Sequence, residues 1–167
     1  MKLHIGCGTQ ILSDSVNIDL IERPGVDVIA DFRTLHFEDI EEIQARHLLE
    51  HFDRKEGLEV LKLWHSWLRT GGTLLVETPD FKRMCELFAV PQEKYWANRE
   101  WLVRSAYGSQ EADWAYHKDG WWDEKFTEVL PKIGFQIEVM RQKHNYVRYG
   151  PQNIRYRLPS IVVVARK

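Results

Sequence analysis

The chain has 167 residues, 44% of them hydrophobic, which is enough for one compact domain burying roughly two-thirds of its unfolded surface and too few for two. A formal charge of −2 gives no global pull toward nucleic acid or an anionic membrane, so such binding would need a local patch. Cys7 and Cys85 make no disulfide framework, "MKLHIGCG" is too short an apolar run for a signal peptide, and nothing approaches the ~20 residues of a membrane span, so the default expectation is cytoplasmic.

The first half alternates short apolar runs with turn residues. "KLHI" ends at Gly6, "VNIDL" carries Asp19, "DVIA" leads into Asp31, and "EIQARH" leads into "LLEH". These read as strands of a mainly parallel sheet. Residues 55 to 69 space Leu58, Leu61, Trp64 and Leu68 as one helix face, and Gly71-Gly72 supplies a stop. "TLLVET" reads as a buried strand cut off by Pro79. The region 80–121 is the least regular and, with Trp96, Trp101, Trp114 and Trp121, holds most of the tryptophans outside the helix. A helix at 122–132 follows, then a stop at "IGF" and two strands, "FQIEVMRQ" and "SIVVVAR", able to pair as a hairpin. The alternation predicts a single α/β domain over 1–167, an open sheet covered on both faces, with 80–121 as a lid or insertion on the substrate side.

Gly6 and Gly8 follow the first strand directly, where a missing Cβ lets a ligand approach the backbone. The third glycine of the dinucleotide fingerprint is absent, since position 11 is Ile. Only the short link 9–15 separates this turn from the second strand, about two helical turns at most, too little to aim a dipole at a pyrophosphate. The pattern therefore fits a nucleoside without phosphates. Asp19 ends the second strand, where a carboxylate can accept from a ribose diol, and Asp31 ends the third, where it can take an adenine amine.

In order and spacing, "LHIGCG", "VNIDL", "DVIADFRTLHF", "ARHLLEHF", "LRTGGTLLVETPDF", "YGSQ" and "IGF" resemble the motifs of class I S-adenosylmethionine-dependent methyltransferases. The likeness is to small bacterial members of the methyltransferase type 11-like kind, often associated with glycan genes, and it spans residues 2–139. It implies a Rossmann-like fold with a mainly parallel seven-stranded sheet and an antiparallel last strand. It also implies that Gly6, Cys7 and Gly8 pack against the methionine part of S-adenosyl-L-methionine, Asp19 and Leu20 sit at its ribose, Asp31 and Phe32 hold the adenine, and His47 and Leu48 lie near the sulfonium. The chain departs from the pattern in starting at the first strand and in having Thr70 where Pro is usual.

"ARHLLEH" contains H-x-x-E-H, which in one protease class holds zinc on a helix. Here a predicted strand runs straight into a turn, so His47 and His51 need not share a face. Metal binding is the lesser reading, and the expectation is that the site holds none.

Methyl transfer needs alignment of the acceptor and, for a hydroxyl, removal of its proton. His117, amid Trp114, Tyr116 and Trp121, is the first candidate base and His47 the second. Tyr107 and Gln110 of "AYGSQ" resemble a pocket wall, and exposed Trp faces suit a sugar. The segment 141–157 holds Arg141, Lys143, Arg148, Arg155 and Arg157 interleaved with Tyr146, Tyr149 and Tyr156 and no acid. It reads as a solvated connection between edge strands, with single-stranded nucleic acid, a phosphate-bearing acceptor or a homodimer edge as the other readings. The expected function is methylation, at oxygen, of a small-molecule or glycan-related acceptor. An RNA or nucleotide methyltransferase and a non-catalytic cofactor-binding subunit are the alternatives.

Overall fold

The computed structural model describes residues 1–89, 96–149 and 154–167, with side chains 96–98, 145–149 and 154–157 left aside. Four parallel strands come first: β1 (Lys2–Ile5), β2 (Val16–Asp19), β3 (Val28–Ile29) and β4 (Ile40–Arg46). Helix α1 (Arg54–Trp67) leads into β5 (Leu68–Pro79), and α2 (Phe81–Ala89), α3 (Trp96–Tyr107) and α4 (Asp123–Ile133) precede the long strands β6 (Gln136–Tyr149) and β7 (Ile154–Arg166). The sheet order is β3-β2-β1-β4-β5-β7-β6. β7 is antiparallel to both neighbours, so the reversed strand lies inside the sheet and β6 forms the edge.

The core lies on one sheet face. Leu3, Ile5, Ile18, Ile43, Ala45, Leu74, Val76, Ile161, Val163 and Ala165 pack with Val60, Leu61, Trp64 and Trp67 of α1 and Phe126 and Leu130 of α4. A capping box starts α1: the Asp53 carboxylate accepts from Lys55 N at 2.8 Å and Glu56 N at 2.9 Å, while Glu56 returns to Asp53 N, an arrangement worth about 1 kcal/mol. The buried face of α1 is rotated from the predicted one, since Leu58 is 36% exposed while Val60 and Trp67 are buried. Nor do the glycines end the helix. Leu68 turns extended at its end and the chain enters β5 at once, with left-handed Gly71 (φ 75°) lying inside that strand.

Helical cover of the second face is uneven: α3 packs on β7 and brings Trp101 and Ser105 beside Ser160, while the β1–β3 side has none. The links β1–β2 and β2–β3 hold no helix and β3–β4 only a 3-10 turn, Phe32–Thr34, so no helix follows β1, β2 or β3 to lie over the second face. That face is polar: Gln44 accepts from Arg46 at 3.1 Å, and Glu77 accepts from Arg46 at 3.0 Å and Lys143 at 2.9 Å. Loop 9–15 closes it over β1 and β2, where Asn17 bonds Leu12 at both its amide oxygen and nitrogen. The region 80–121 is also more regular than expected, since it contains α2 and α3. The β6–β7 hairpin extends along both arms of the basic segment, so residues 141–149 and 154–157 are strand rather than connection; the side chains of 145–157 lie outside the described ones. No helix among the described residues is long and apolar enough to cross a membrane.

His4, 1% exposed, faces Asn17 Oδ1 at 3.3 Å, and burial holds its pKa below the ordinary histidine value. The unfolded chain therefore takes the proton first, and stability falls as pH drops below about 6.5 toward the folded pKa. Urea denaturation at pH 7.5 and 5.0 should show this part of the fall missing in His4→Gln; equal losses in both proteins would contradict it.

Candidate functional site

The carboxyl ends of β1, β2, β3 and β4 open into a cavity of about 330 Å³. Gly6 (φ 67°) and Gly8 (φ 55°) are both left-handed, which turns the chain sharply off β1. A Cβ on Gly6 would meet Leu48 methyls at 3.0 Å, whereas one on Gly8 would enter open space. Asp19 organises this turn: Oδ2 accepts from Gly8 N at 2.7 Å and Oδ1 from Ile21 N at 2.9 Å. Gly6, Gly8, Asp19, Leu20, Asp31, Phe32, His47 and Leu48 all line the cavity. Cys7 does not. Its side chain is 3% exposed and packed inward, because alternation along the turn sends it opposite to the neighbouring glycines.

Asp31 is more heavily engaged than the sequence suggested. Arg33 grips it with Nε at 3.0 Å and Nη2 at 2.7 Å, and that hydrogen bonding holds the carboxyl below its usual range. Phe32 is 6% exposed and edge-on to Phe52, so it offers mainly backbone. Arg33, Glu56, Trp114 and Lys118 complete the wall. Of these, only Trp114 was legible beforehand, because the others gain their place through side chains that cross between elements.

At the inner end of the cavity lies a cluster of imidazoles and carboxylates. His47 adopts φ 52°, a left-handed conformation uncommon for a side-chain-bearing residue, and donates its backbone N–H to Glu77 O at 2.7 Å. Its Nδ1 faces Glu50 Oε1 and its Nε2 faces Glu77 Oε1, both at 3.4 Å. Burial works to lower the His47 pKa, but the two carboxylates outweigh it and raise it to about 9. At neutral pH His47 is therefore an imidazolium, which donates rather than accepts. Burial likewise works to raise Glu50, yet the contact with His47 holds it below the usual glutamate range, and it stays ionised.

His51 and His117 come edge to face, ring centroids 4.7 Å apart. His51 Nδ1 donates to Tyr116 O at 3.0 Å and His117 Nδ1 to Ser105 O at 2.7 Å; a carbonyl accepts only, so each Nδ1 carries the proton. Burial lowers the His117 pKa. The region 80–121 is held here by its backbone, as Lys118 N and Asp119 N both donate to Glu50 O, at 2.8 and 3.3 Å.

A second cavity of about 290 Å³ adjoins the first, with His47 on the walls of both. His117, Trp101, Arg104, Ser105 and Ser160 line it. The expected acceptor wall is only partly assembled. Trp114 faces the first cavity, while Tyr107, Gln110 and Tyr116 are exposed and line neither of these two. Trp121 is a core residue, 1% exposed, stacked near Phe126 at 4.9 Å and against Gly57 at 3.4 Å from where its Cβ would be. Its size and the close approach that Gly57 permits anchor the end of the region 80–121 in the core. Trp96 and most of the basic stretch lie outside the described side chains; Lys143 is paired with Glu77.

Among solved structures, the chain is similar to an S-adenosylmethionine-dependent methyltransferase of Methanosarcina mazei, with TM-score 0.66 and 16% identity over 99% of this chain and 91% of that one. A Mesorhizobium loti methyltransferase gives 0.60 and 17% over 99% and 90%. The Burkholderia thailandensis 1,6-didemethyltoxoflavin-N1-methyltransferase, solved with its substrate and S-adenosylhomocysteine, gives 0.59 and 15% over 99% and 70%. No protein-family model and no curated protein matches the chain. The fold is the Rossmann-like class I methyltransferase fold, with its mainly parallel seven-stranded sheet and a reversed last strand.

Gly6→Ala forces a left-handed alanine against Leu48, and the two together should cost about 1–3 kcal/mol. Chemical denaturation checks this; a change under 0.5 kcal/mol would mean the turn relaxes freely.

Proposed function

We propose that the chain is an S-adenosylmethionine-dependent methyltransferase that methylates a small-molecule or glycan-related acceptor at oxygen. The observation that carries this reading is the convergence of Gly6, Gly8, Asp19, Asp31 and Leu48 on one cavity at the carboxyl edge of a methyltransferase fold. The residues fit the cofactor chemically. Gly8 leaves open the space a Cβ would take, Asp19 and Asp31 are acceptors for a ribose diol and an adenine amine, and the tight β1–β2 link leaves no helix N-terminus for a pyrophosphate. When bound, the cofactor supplies a methyl group on a sulfonium.

The chain's own part is alignment and handling of a proton. The acceptor enters from the second cavity, whose Trp101, Arg104 and Ser105 offer a flat apolar face, a cation and a hydroxyl. His47, charged and shared by both cavities, orients oxygen at their junction. His117, kept neutral by burial and fixed at Nδ1 by Ser105, presents Nε2 on the acceptor side.

Calorimetry should show S-adenosylhomocysteine binding with no comparable signal for NAD, and Asp19→Ala should weaken that binding by about 1.5–3 kcal/mol. Because Asp19 also holds the amides of Gly8 and Ile21, the same variant should lose stability. Binding of NAD alone, or wild-type affinity in Asp19→Ala, would overturn the cofactor assignment.

With an acceptor in hand, His117→Ala should lower kcat by about 10²-fold or more and leave S-adenosylhomocysteine affinity nearly unchanged. An unaltered kcat would remove His117 from the acceptor's chemistry.

A further inference from the structure

Glu50 is 2% exposed, and neither carboxylate oxygen has a hydrogen-bond partner among the described residues. A buried ionised carboxylate left in that state is costly unless a cation meets it. His47 supplies part of that charge at 3.4 Å, yet the same ring also faces Glu77. Glu77 has Arg46 and Lys143 besides; Glu50 has no lysine or arginine ion pair among the described residues. The under-compensated charge therefore sits on Glu50, and the other two groups turned to it are His51 and His117.

We infer that Glu50, His51 and His117 form a binding site for a divalent transition-metal cation at the junction of the two cavities. One ligand atom from each lies within 4.8 Å of the others. Donors at about 2.1 Å from a tetrahedral ion stand about 3.4 Å apart, so closing the set takes side-chain movement of up to about 1.4 Å. The surroundings are those of a metal site. Both histidines donate Nδ1–H to a backbone carbonyl, which fixes the tautomer with its lone pair on Nε2 and steadies the ring, as metal-ligating histidines are commonly held. Two imidazoles and one carboxylate suit zinc or a neighbouring first-row ion, and three protein ligands leave positions open. His47 competes for the same carboxylate with its positive charge, and Glu77 is the second acid that it faces.

This departs from the expectation that "HLLEH" holds no metal, though the logic of that expectation survives. The two histidines of the motif do not act together; Glu50 and His51 join a histidine from the region 80–121, 66 residues on from His51. The inference rests on the methyltransferase reading for its chemistry. His51 lines the first cavity and His117 the second, so the open positions fall where an acceptor hydroxyl would lie. An ion-bound hydroxyl gives up its proton to water more readily; the acceptor oxygen then bonds to the methyl carbon as the methyl–sulfur bond breaks. On this account His117 acts as an ion ligand rather than as a free base.

The test is titration of chelator-treated full-length protein with ZnCl₂ and, separately, CoCl₂, read by calorimetry and by the visible bands of bound Co²⁺. Wild type should bind one ion per chain. Glu50→Gln, which keeps the side chain's shape, and His117→Ala should each weaken binding by 100-fold or more, while His36→Ala, an exposed histidine elsewhere, should not. Failure of wild type to take up an ion, or unchanged affinity in Glu50→Gln and His117→Ala, would overturn the inference. The Co²⁺ bands report histidine ligation in wild type even if a variant misfolds. A parallel S-adenosylhomocysteine titration separates the two proposals: cofactor bound without metal defeats this one alone, and metal bound without cofactor defeats the methyltransferase reading alone.

Discussion

Two carboxylates, Glu50 and Glu77, are buried at the carboxyl edge of the sheet, and the structure around them is organised by the need to balance their charge. His47 stands between them as an imidazolium. To face both, it takes a left-handed backbone and leaves β4 abruptly, so the following residues coil into the 3-10 turn Leu49–His51 rather than a helix. On the far side Arg46 and Lys143 close on Glu77, tying β4, β5 and edge strand β6 together over β7. Removing one partner from such a network costs more than the pair contributes, because the other charge is left buried alone.

The placement of residues 116–119 depends on the same turn. Glu50 offers its carbonyl to Lys118 and Asp119, and His51 donates to Tyr116, so residues 116–119 are held by the backbone of the segment that supplies the cluster. Trp121 then sinks beside Gly57 of α1 and is buried in the core. His117 cannot move away from Glu50 without breaking several hydrogen bonds. That preorganises the junction of the two cavities.

The sheet's two faces answer to different physics. One buries aliphatic and aromatic side chains against α1 and α4. The other, with no helix after β1, β2 or β3, is satisfied by charge and amide pairing across strands, by loop 9–15 and, at β7, by α3. A polar face of this kind is compatible with antiparallel sheets open to water but unusual over parallel strands, and it follows from links too short to hold a helix.

What the sequence determined by itself was local. Gly6, Gly8, Asp19 and Asp31 were readable because each lies at or just past the end of a strand, strand ends converge at one edge of a parallel sheet, and the turn chemistry of glycine and aspartate needs no distant partner. The lack of a helix between β1 and β2 was readable from the length of 9–15, and the strand–turn break after Arg46 from a strand pattern that runs straight into a turn. The tertiary structure decided whatever depends on contacts between residues far apart in the chain. Trp121 and Trp114 look alike in sequence, yet one meets Gly57 and is buried while the other faces a cavity. Cys7 lies between two cavity-lining glycines and points away. His47 was a candidate base until Glu77, thirty residues on, gave it a second carboxylate and a charge. His117 comes to Glu50 and His51 because Trp121 is drawn into the core, a consequence of hydrophobic burial rather than of any pattern around the histidine itself.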